Sequence, residues 1–161
     1  MRYAVDTNVL LDVLFRDEEF HEKSRKRLEK ASENGVLIIS PEVYSELFTA
    51  FSEKLENPKE ELDKFLESKG IQLENHSKDS LKKAGEAWKK YDSTNKSECP
   101  KCGEKNSFNC RNCGETINWR NHLITDFMIG SHAEEFSKKL ITRDRGFYSS
   151  YFDLEIDDPS K

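Results

Sequence analysis

Residues 2–14, with the sequence RYAVDTNVLLDVL, decide the fold. They begin with a short apolar run that ends at Asp6, which is typical of a strand, and continue with apolar residues at helical spacing. A polar, helix-favouring segment follows from about Glu19 to Glu33, and the β-branched run VLIIS (residues 36–40) has the length of a strand. The N-terminal part of the chain therefore predicts a strand–helix–strand unit.

The same alternation continues toward the C-terminus. Ser40 and Pro41 have the cap and first-turn signature of a helix start. The remaining predicted elements are helices from Pro41 to about Leu55, Pro58 to Ser68, Ser77 to Tyr91 and onward from about Trp119, and strands at Ile71–Leu73, Leu140–Thr142 and Tyr151–Ile156. Strands that alternate with helices predict an α/β fold, here a three-layer α/β/α arrangement around a central parallel sheet.

Length and composition favour one domain with a small insertion. The chain has 161 residues, 35% of them charged, and a net charge of -5. No stretch approaches the roughly 18 apolar residues of a membrane span, and the N-terminus lacks a secretory leader, so we expect a cytoplasmic protein with no membrane contact. The acidic balance argues against a simple polybasic nucleic-acid binder. It is compatible with a nuclease that holds phosphate through metal ions.

Cysteine usage is confined to one segment. Cys99, Cys102, Cys110 and Cys113 form two CxxCG turns, and the rest of the chain has no cysteine. Two facing turns of this kind make a tetrahedral four-thiolate site, and the pattern resembles a small zinc ribbon. An iron centre of the rubredoxin type uses similar turns but is rarer. We therefore expect one structural Zn²⁺, with no open position for catalysis.

The cysteine segment divides the chain. Helical periodicity disappears between Asp92 and Asn118, which predicts an inserted ribbon at residues 93–118 and a main domain formed by residues 1–92 and 119–161. From Lys89 to Arg120 seven basic residues stand against four acids. Such a balance is compatible with RNA contact, for which the candidate residues are Lys101, Lys105 and Arg111. The ribbon could equally serve to dock a protein.

Four acids are candidates for a functional site, and two of them stand at strand ends, where an α/β enzyme collects its chemistry. Asp6 closes the first strand and Asp144 follows the last buried strand, so both belong to the carboxyl edge of the sheet. Glu46 and Asp126 lie beside apolar helix faces, where an unpaired carboxylate is costly. A simpler interpretation exists for each one: Asp6 caps a helix, Glu46 and Asp126 pair with surface cations, and Asp144 starts a turn.

Four sequence blocks resemble the PIN-domain ribonucleases. They are YAVDTNVLLDVL (residues 3–14), SPEVYSELFTAF (40–51), HLITDFMIGSHA (122–133), and KLITRDRGF (139–147) followed by FDLEI (152–156). The blocks occur in the order typical of that family and frame nearly the whole chain. The long cysteine-bearing insertion upstream of Asp126 is the departure from its pattern.

The resemblance implies a metal-dependent endoribonuclease. The four acids of the family map onto Asp6, Glu46, Asp126 and Asp144, which would hold one or two Mg²⁺ or Mn²⁺ ions. Supporting roles map onto three polar residues, Thr7, Asn8 and Thr142. Crowded carboxylates repel one another unless a cation neutralises them, and hard oxygen ligands suit these two ions. A metal-bound water would then attack the RNA phosphodiester without a protein nucleophile.

Other functions are weighed against this one. A haloacid-dehalogenase-like phosphatase would need a second Asp at position 8, which is Asn8, and a dinucleotide-binding fold would need a GxGxxG turn after the first strand. The alternative from another class is an inactive PIN-like RNA-binding or scaffold protein. Within the enzyme class, the sequence does not separate a VapC-type toxin held by an antitoxin from an rRNA-processing factor with a ribosomal-assembly partner. The resemblance also suggests a homodimer.

Overall fold

The computed structural model describes residues 1–92, 97–98, 105–106, 108–117, 123–144 and 146–161. Within these ranges the chain forms seven helices and nine strands. In chain order they are β1 (Arg2–Val5), α1 (Thr7–Leu14), α2 (His21–Asn34), β2 (Val36–Ile39), α3 (Pro41–Lys54), α4 (Pro58–Ser68), β3 (Ile71–Leu73), α5 (Lys78–Asp92), β4 (Ser97–Glu98), β5 (Lys105–Asn106), β6 (Phe108–Asn109), β7 (Thr116–Ile117), α6 (Ile124–Phe136), β8 (Lys139–Ile141), α7 (Phe147–Tyr151) and β9 (Glu155–Asp157).

Five of the strands form one parallel sheet in the order β3-β2-β1-β8-β9. The central pair is β1 and β8, in which Val5 lies opposite Ile141. Helices flank the sheet, so the predicted α/β fold with a central parallel sheet is confirmed. Because all five strands point the same way, the residues that follow β1, β2 and β8 meet at one edge of the sheet, here called the carboxyl edge.

Local sequence explains where the elements begin and end. Ser40 is the N-cap of α3, where its side chain accepts from the Val43 N–H at 3.5 Å, and Pro41 occupies the first turn as predicted. Gly70 ends α4 with a φ of 62°, a left-handed conformation that glycine adopts without strain. Val9 and Leu10 on α1 are fully buried with Ile38 of β2, so the N-terminal unit supplies much of the core.

Two predicted boundaries are corrected. Helix α6 begins at Ile124, with Leu123 as its N-cap, and not at about Trp119, a position outside the described residues. The predicted strand from Tyr151 begins only at Glu155, because Tyr151 belongs to the short helix α7. The backbone N–H of Phe147 donates to Asp144, so the chain turns into a helix before it reaches the edge strand.

The predicted ribbon segment contains two short antiparallel pairs outside the main sheet. Strand β4 pairs with β5, and β6 pairs with β7. The proposed domain boundaries at residues 92 and 119 stay predictions. None of the helices in the described ranges is long and apolar enough to cross a lipid bilayer.

Candidate active site

Asp6 is the most firmly held of the candidate residues. It follows β1, is 6% exposed, and serves as the N-cap of α1. One carboxylate oxygen accepts from the Thr7 N–H at 2.7 Å, and the other accepts from Asn8 Nδ2 at 2.7 Å and from Thr142 Oγ1 at 2.6 Å. The three predicted supporting residues thus lie against the Asp6 carboxylate or its helix. The capping interpretation of Asp6 is confirmed, and its role as a metal ligand stays a prediction.

Asp144 reaches the same edge from β8. Its backbone N–H donates to Thr142 Oγ1 at 3.0 Å, which ties the turn after β8 to the hydroxyl that binds Asp6. Its side chain accepts from the N–H groups of Gly146 at 3.2 Å and Phe147 at 3.1 Å. Asp144 therefore starts the turn into α7, as the simpler interpretation expects, with its carboxylate half-buried near the carboxyl edge.

Glu46 and Asp126 approach from two different helices. Glu46 lies on α3 and accepts a short hydrogen bond from Thr7 Oγ1, so a residue of α1 joins it to Asp6. Asp126 lies in the first turn of α6, where its carboxylate accepts from the Leu123 N–H at 2.6 Å. Both side chains are half-buried. Since α6 packs against β1 and α3, it brings Asp126 toward the other acids.

The electrostatics show that the acids share one environment. Burial, with a smaller effect of the charges of Glu46 and Asp126, raises the pKa of Asp6 to about 6, although the hydrogen bonds from Thr142 and Thr7 lower it. Burial also raises the pKa of Glu46, and the charge of Asp126 adds to that effect. Two carboxylates that oppose each other's ionisation in this way would be stabilised by a cation between them.

Tyr148 is a site residue that the sequence did not reveal. It is 3% exposed on α7, and burial raises the pKa of its phenol far above the ordinary value. The charges of Asp6, Asp126, Asp144 and Glu46 all act in the same direction on this hydroxyl. Tyr148 is therefore a neutral group that faces the field of all four acids. Tyr148 lies in a helix of five residues, which is too short to show a periodic pattern, so the sequence offered no signal for this position.

A second unpredicted group lies beside the site. Arg143 donates to Asp12 at 2.9 Å, and Asp12 is 2% exposed on α1. The second oxygen of Asp12 accepts from Ser24 Oγ at 2.7 Å. The backbone N–H of Arg143 donates to Asn8 Oδ1 at 3.2 Å, so this ion pair orients the same Asn8 that holds Asp6. An acid within the apolar run VLLDVL was the available signal for a buried partner.

The donor set fits a hard divalent cation. Four carboxylates supply only oxygen ligands, which suit Mg²⁺ or Mn²⁺. Among the residues that the structure describes, no three His, Cys, Asp or Glu side chains converge on one point at ligating distance. The four acids thus form an open group at the carboxyl edge, joined through Thr7, Thr142 and their mutual electrostatic effects.

The structure describes only part of the predicted cysteine site. Cys99, Cys102 and Lys101 lie outside the described residues, as does the side chain of Lys105, while Arg111 is exposed. Cys110 and Cys113 are free thiols in one tight turn. Within that turn the Gly114 N–H donates to the Cys110 carbonyl at 2.9 Å, and Gly114 has a φ of 75°.

Groups of the same turn act on the Cys110 thiol and lower its pKa. The N–H groups of Cys113 and Asn112 donate to it and lower its pKa, and the Cys113 thiol has the same effect. Backbone donors that favour the thiolate in this way are also favourable for metal ligation, because the ligand form of cysteine is the thiolate.

Comparisons with known proteins agree with the fold. A family model described as PIN domain matches residues 3–152. A search of curated proteins found no match. Among solved structures, VapBC-1 of nontypeable Haemophilus influenzae has a TM-score of 0.67 at 17% identity, with 100% of both chains covered.

Two further structures extend the comparison. VapBC2 of Rickettsia felis, bound to a DNA fragment from its promoter, has a TM-score of 0.64 at 19% identity, with 98% of each chain covered. VapC20 of Mycobacterium tuberculosis, described as a sarcin-ricin loop cleaving toxin, has a TM-score of 0.59 at 13% identity, with 95% of this chain and 98% of that chain covered. At these identities the likeness shows the fold alone.

Proposed function

The chain belongs to the PIN-domain family, and from this premise we propose that it is a metal-dependent endoribonuclease. The observation that carries the proposal is the hydrogen-bonded network in which Thr142 and Thr7 join Asp6 to the backbone of Asp144 and to the side chain of Glu46. The charge of Asp126, on α6, acts on both Asp6 and Glu46. Carboxylates that lie close enough to raise one another's pKa favour a shared cation.

The four acids would hold one or two Mg²⁺ or Mn²⁺ ions. Such ions would activate a water molecule for attack on the phosphodiester and stabilise the leaving oxygen. The chain's own residues prepare the ligands for this role. Thr7, Asn8 and Thr142 direct three donors at the Asp6 carboxylate and so favour its ionised form. Thr7 also holds Glu46 through its hydroxyl, which fixes the distance between two ligands on α1 and α3.

The experiment is cleavage of structured RNAs by the purified chain with Mg²⁺, with Mn²⁺ and with a chelator. We expect cleavage that requires the cation and is abolished by Asp126→Asn and by Glu46→Gln. Glu53→Gln is the matched control, because Glu53 lies two turns further along α3 and is exposed. Cleavage that persists in both site variants would contradict the assignment and favour the alternative, an inactive PIN-like RNA-binding or scaffold protein.

The biological class is proposed from the structural neighbours. The solved structures of similar fold include three toxin–antitoxin complexes bound to DNA, namely VapBC2 of Rickettsia felis, FitAB, and VapBC of Salmonella typhimurium. We propose by analogy that an antitoxin peptide is the regulatory partner of this chain. A role in rRNA processing with a ribosomal-assembly partner is the competing proposal, and homodimer formation stays a prediction. A small antitoxin gene beside the gene for this chain would favour the toxin.

A structural zinc site is proposed for the cysteine segment. The support is the Cys110–Cys113 turn, in which backbone N–H groups surround a thiol whose pKa they lower. Cys99 and Cys102 would complete a closed four-thiolate site, which stabilises the insert and leaves no position for substrate. RNA contact by Lys101, Lys105 and Arg111 stays a prediction of the same segment.

A further inference from the structure

Helix α2 has two charged faces of opposite sign. Lys23, Lys26, Arg27 and Lys30 recur at intervals of three and four residues, so they share one face. The neighbouring face carries the acids of the helix, and there Arg25 pairs with Glu22 at 3.0 Å and with Glu29 at 2.6 Å. The acidic face is thus partly neutralised within the helix, while the basic face is not.

Three of the four cations of the basic face remain available for a ligand. Arg27 pairs with Asp157 of β9, which holds α2 against the edge of the sheet. Lys23, Lys26 and Lys30 are exposed, and none of the acids in the described ranges forms an ion pair with them. We call Lys23, Lys26, Arg27 and Lys30 the α2 basic strip. A depression of about 270 Å³ lies between these residues and Lys161, and Asp158 contributes the acid at its border.

The Phe20 ring lies between the strip and Arg143, the residue that follows Thr142 of the candidate active site. Arg143 directly follows Thr142, and its guanidinium carbon lies 4.4 Å from the centre of the Phe20 ring. On the same ring the Lys23 ammonium lies 5.4 Å from the centre. Phe20 therefore lies against both Arg143, beside the carboxyl edge, and Lys23, the first cation of the strip. From Lys23 to Lys30 the strip extends about 10 Å along the helix axis.

We propose that the α2 basic strip binds the phosphate backbone of single-stranded RNA and guides it to the carboxyl edge. This inference rests on the proposed function for the identity of the nucleic acid. The chemistry favours a polyanion over a protein partner, because protein interfaces are anchored by buried aromatic and aliphatic side chains. Helix α2 has no exposed large hydrophobic side chain. Cations at one-turn intervals can contact successive phosphates. Here they form a local basic surface on a chain whose net charge is -5.

The test is RNA binding by a chain that carries Lys23→Gln, Lys26→Gln and Lys30→Gln. The host is the Asp126→Asn chain, so that RNA stays intact, and the probe is a short fluorescein-labelled single-stranded RNA measured by anisotropy. We expect affinity to fall at least about tenfold near 100 mM salt. The slope of log K against log salt should become less steep by about two, since each lost phosphate contact on a single strand accounts for about 0.7. The matched control, Lys59→Gln with Lys64→Gln and Lys82→Gln, removes the same charge from exposed positions on α4 and α5 and should leave affinity near that of the host.

Unchanged affinity and salt slope in the strip variant would overturn the inference. An equal loss in the control variant would also overturn it, because net charge alone would then explain the effect. So would intact RNA binding combined with lost binding to phosphatidylserine vesicles, which would assign the strip to a membrane surface. If the wild-type chain cleaves none of the RNAs while the strip variant still loses binding, the proposed nuclease function is contradicted and RNA binding by the strip is supported. If cleavage occurs and the strip variant binds normally, the strip alone fails.

Discussion

Thr142 Oγ1 donates a hydrogen bond of 2.6 Å to Asp6 Oδ2 and joins the ends of two neighbouring parallel strands. Thr142 is fully buried, so the donor has no competition from solvent at this position. The same hydroxyl oxygen accepts from the Asp144 N–H at 3.0 Å. One side chain therefore orients the first acid and fixes the backbone that carries the last one.

Thr142→Val is predicted to weaken metal binding while the fold persists. Valine has the shape of threonine but cannot donate, and the pKa of Asp6 would rise because the Thr142 hydrogen bond lowers it. Loss of such an orienting partner typically costs about 10- to 100-fold in metal affinity. Calorimetric titration with Mn²⁺ measures this. Thr142→Ser keeps the hydroxyl and should bind nearly as wild type, and equal Mn²⁺ affinities for all three chains would exclude the role.

The pH dependence of stability is predicted from Asp6. Its pKa is about 6 in the folded chain against 3.8 for the ordinary group, so the folded state holds the proton more tightly than the unfolded state does. Stability from this group is therefore present below about pH 4 and is lost as the pH rises to about 6. Without divalent cations, Asp6→Asn should be more stable than wild type at pH 8 by up to about 3 kcal/mol, and equally stable near pH 4.

Denaturant unfolding at a series of pH values measures this difference. Glu53→Gln is the control and should leave the pH profile unchanged, since Glu53 is exposed. Added Mg²⁺ should stabilise the wild type more than Asp6→Asn, because the variant lacks one of the four carboxylates that would hold the ion. A variant Asp6→Asn that is less stable than wild type at pH 8 would show that the carboxylate is not under electrostatic strain.

The sequence predicted the parts of the site that depend on strand ends. Asp6 and Asp144 follow buried parallel strands, so the topology alone places them at one edge. Tyr148 was not predictable, because its place depends on how the five-residue helix α7 packs, and a helix that short has no periodicity. Arg143 and Asp12 are 131 residues apart, and only the packed structure shows that they pair. The start of α6 was misplaced because Trp119 and Leu123 are four residues apart, as on one helix face, and because Leu123 caps the helix without a polar side chain.

Gly130→Ala is predicted to disturb the Tyr148 side of the site. A Cβ on Gly130 would lie 2.3 Å from Phe152 Cε2 and 3.0 Å from a ring carbon of Tyr148, so both rings must move. Overpacking of this kind typically costs about 1 to 3 kcal/mol. Gly85→Ala is the matched control, because Gly85 is in helix α5 with nothing within 4 Å of the new Cβ. That change should stabilise the chain by about 0.5 to 1 kcal/mol. Thermal unfolding compares the two, and opposite signs are the expected result.

The zinc proposal predicts one tightly bound Zn²⁺ per chain. Cys110→Ser with Cys113→Ser should remove the metal, while the far-UV circular dichroism of the α/β domain persists, because its core of residues such as Leu10 and Ile38 is independent of the cysteines. Asn112→Ala is the control in the same turn, since its backbone N–H is retained. Elemental analysis gives the metal content. Chains purified without chelator that contain no transition metal would contradict the proposal.

The side chains of Asp12 and Arg143 are predicted to act as a pair, so that the effects of replacing them are not additive. Asp12 is 2% exposed, and burial raises its pKa despite the hydrogen bond from Ser24 and the charge of Arg143. Arg143→Gln would leave that carboxylate buried without its cation, which typically costs about 3 to 5 kcal/mol for a fully buried pair and less here, because the Arg143 side chain is 32% exposed. Asp12→Asn should cost less, since an amide can still accept from Ser24.

If the two side chains act as a pair, the double variant should be less destabilised than the sum of the single variants, with a coupling energy of about 1 to 3 kcal/mol. The side-chain pair anchors Arg143, whose backbone N–H donates to Asn8, so loss of the pair should shift that donor. The same cycle measured on RNA cleavage should therefore show coupling in kcat as well as in stability. Coupling in stability with strictly additive effects on kcat would restrict the pair to a structural role and detach it from the orientation of Asp6.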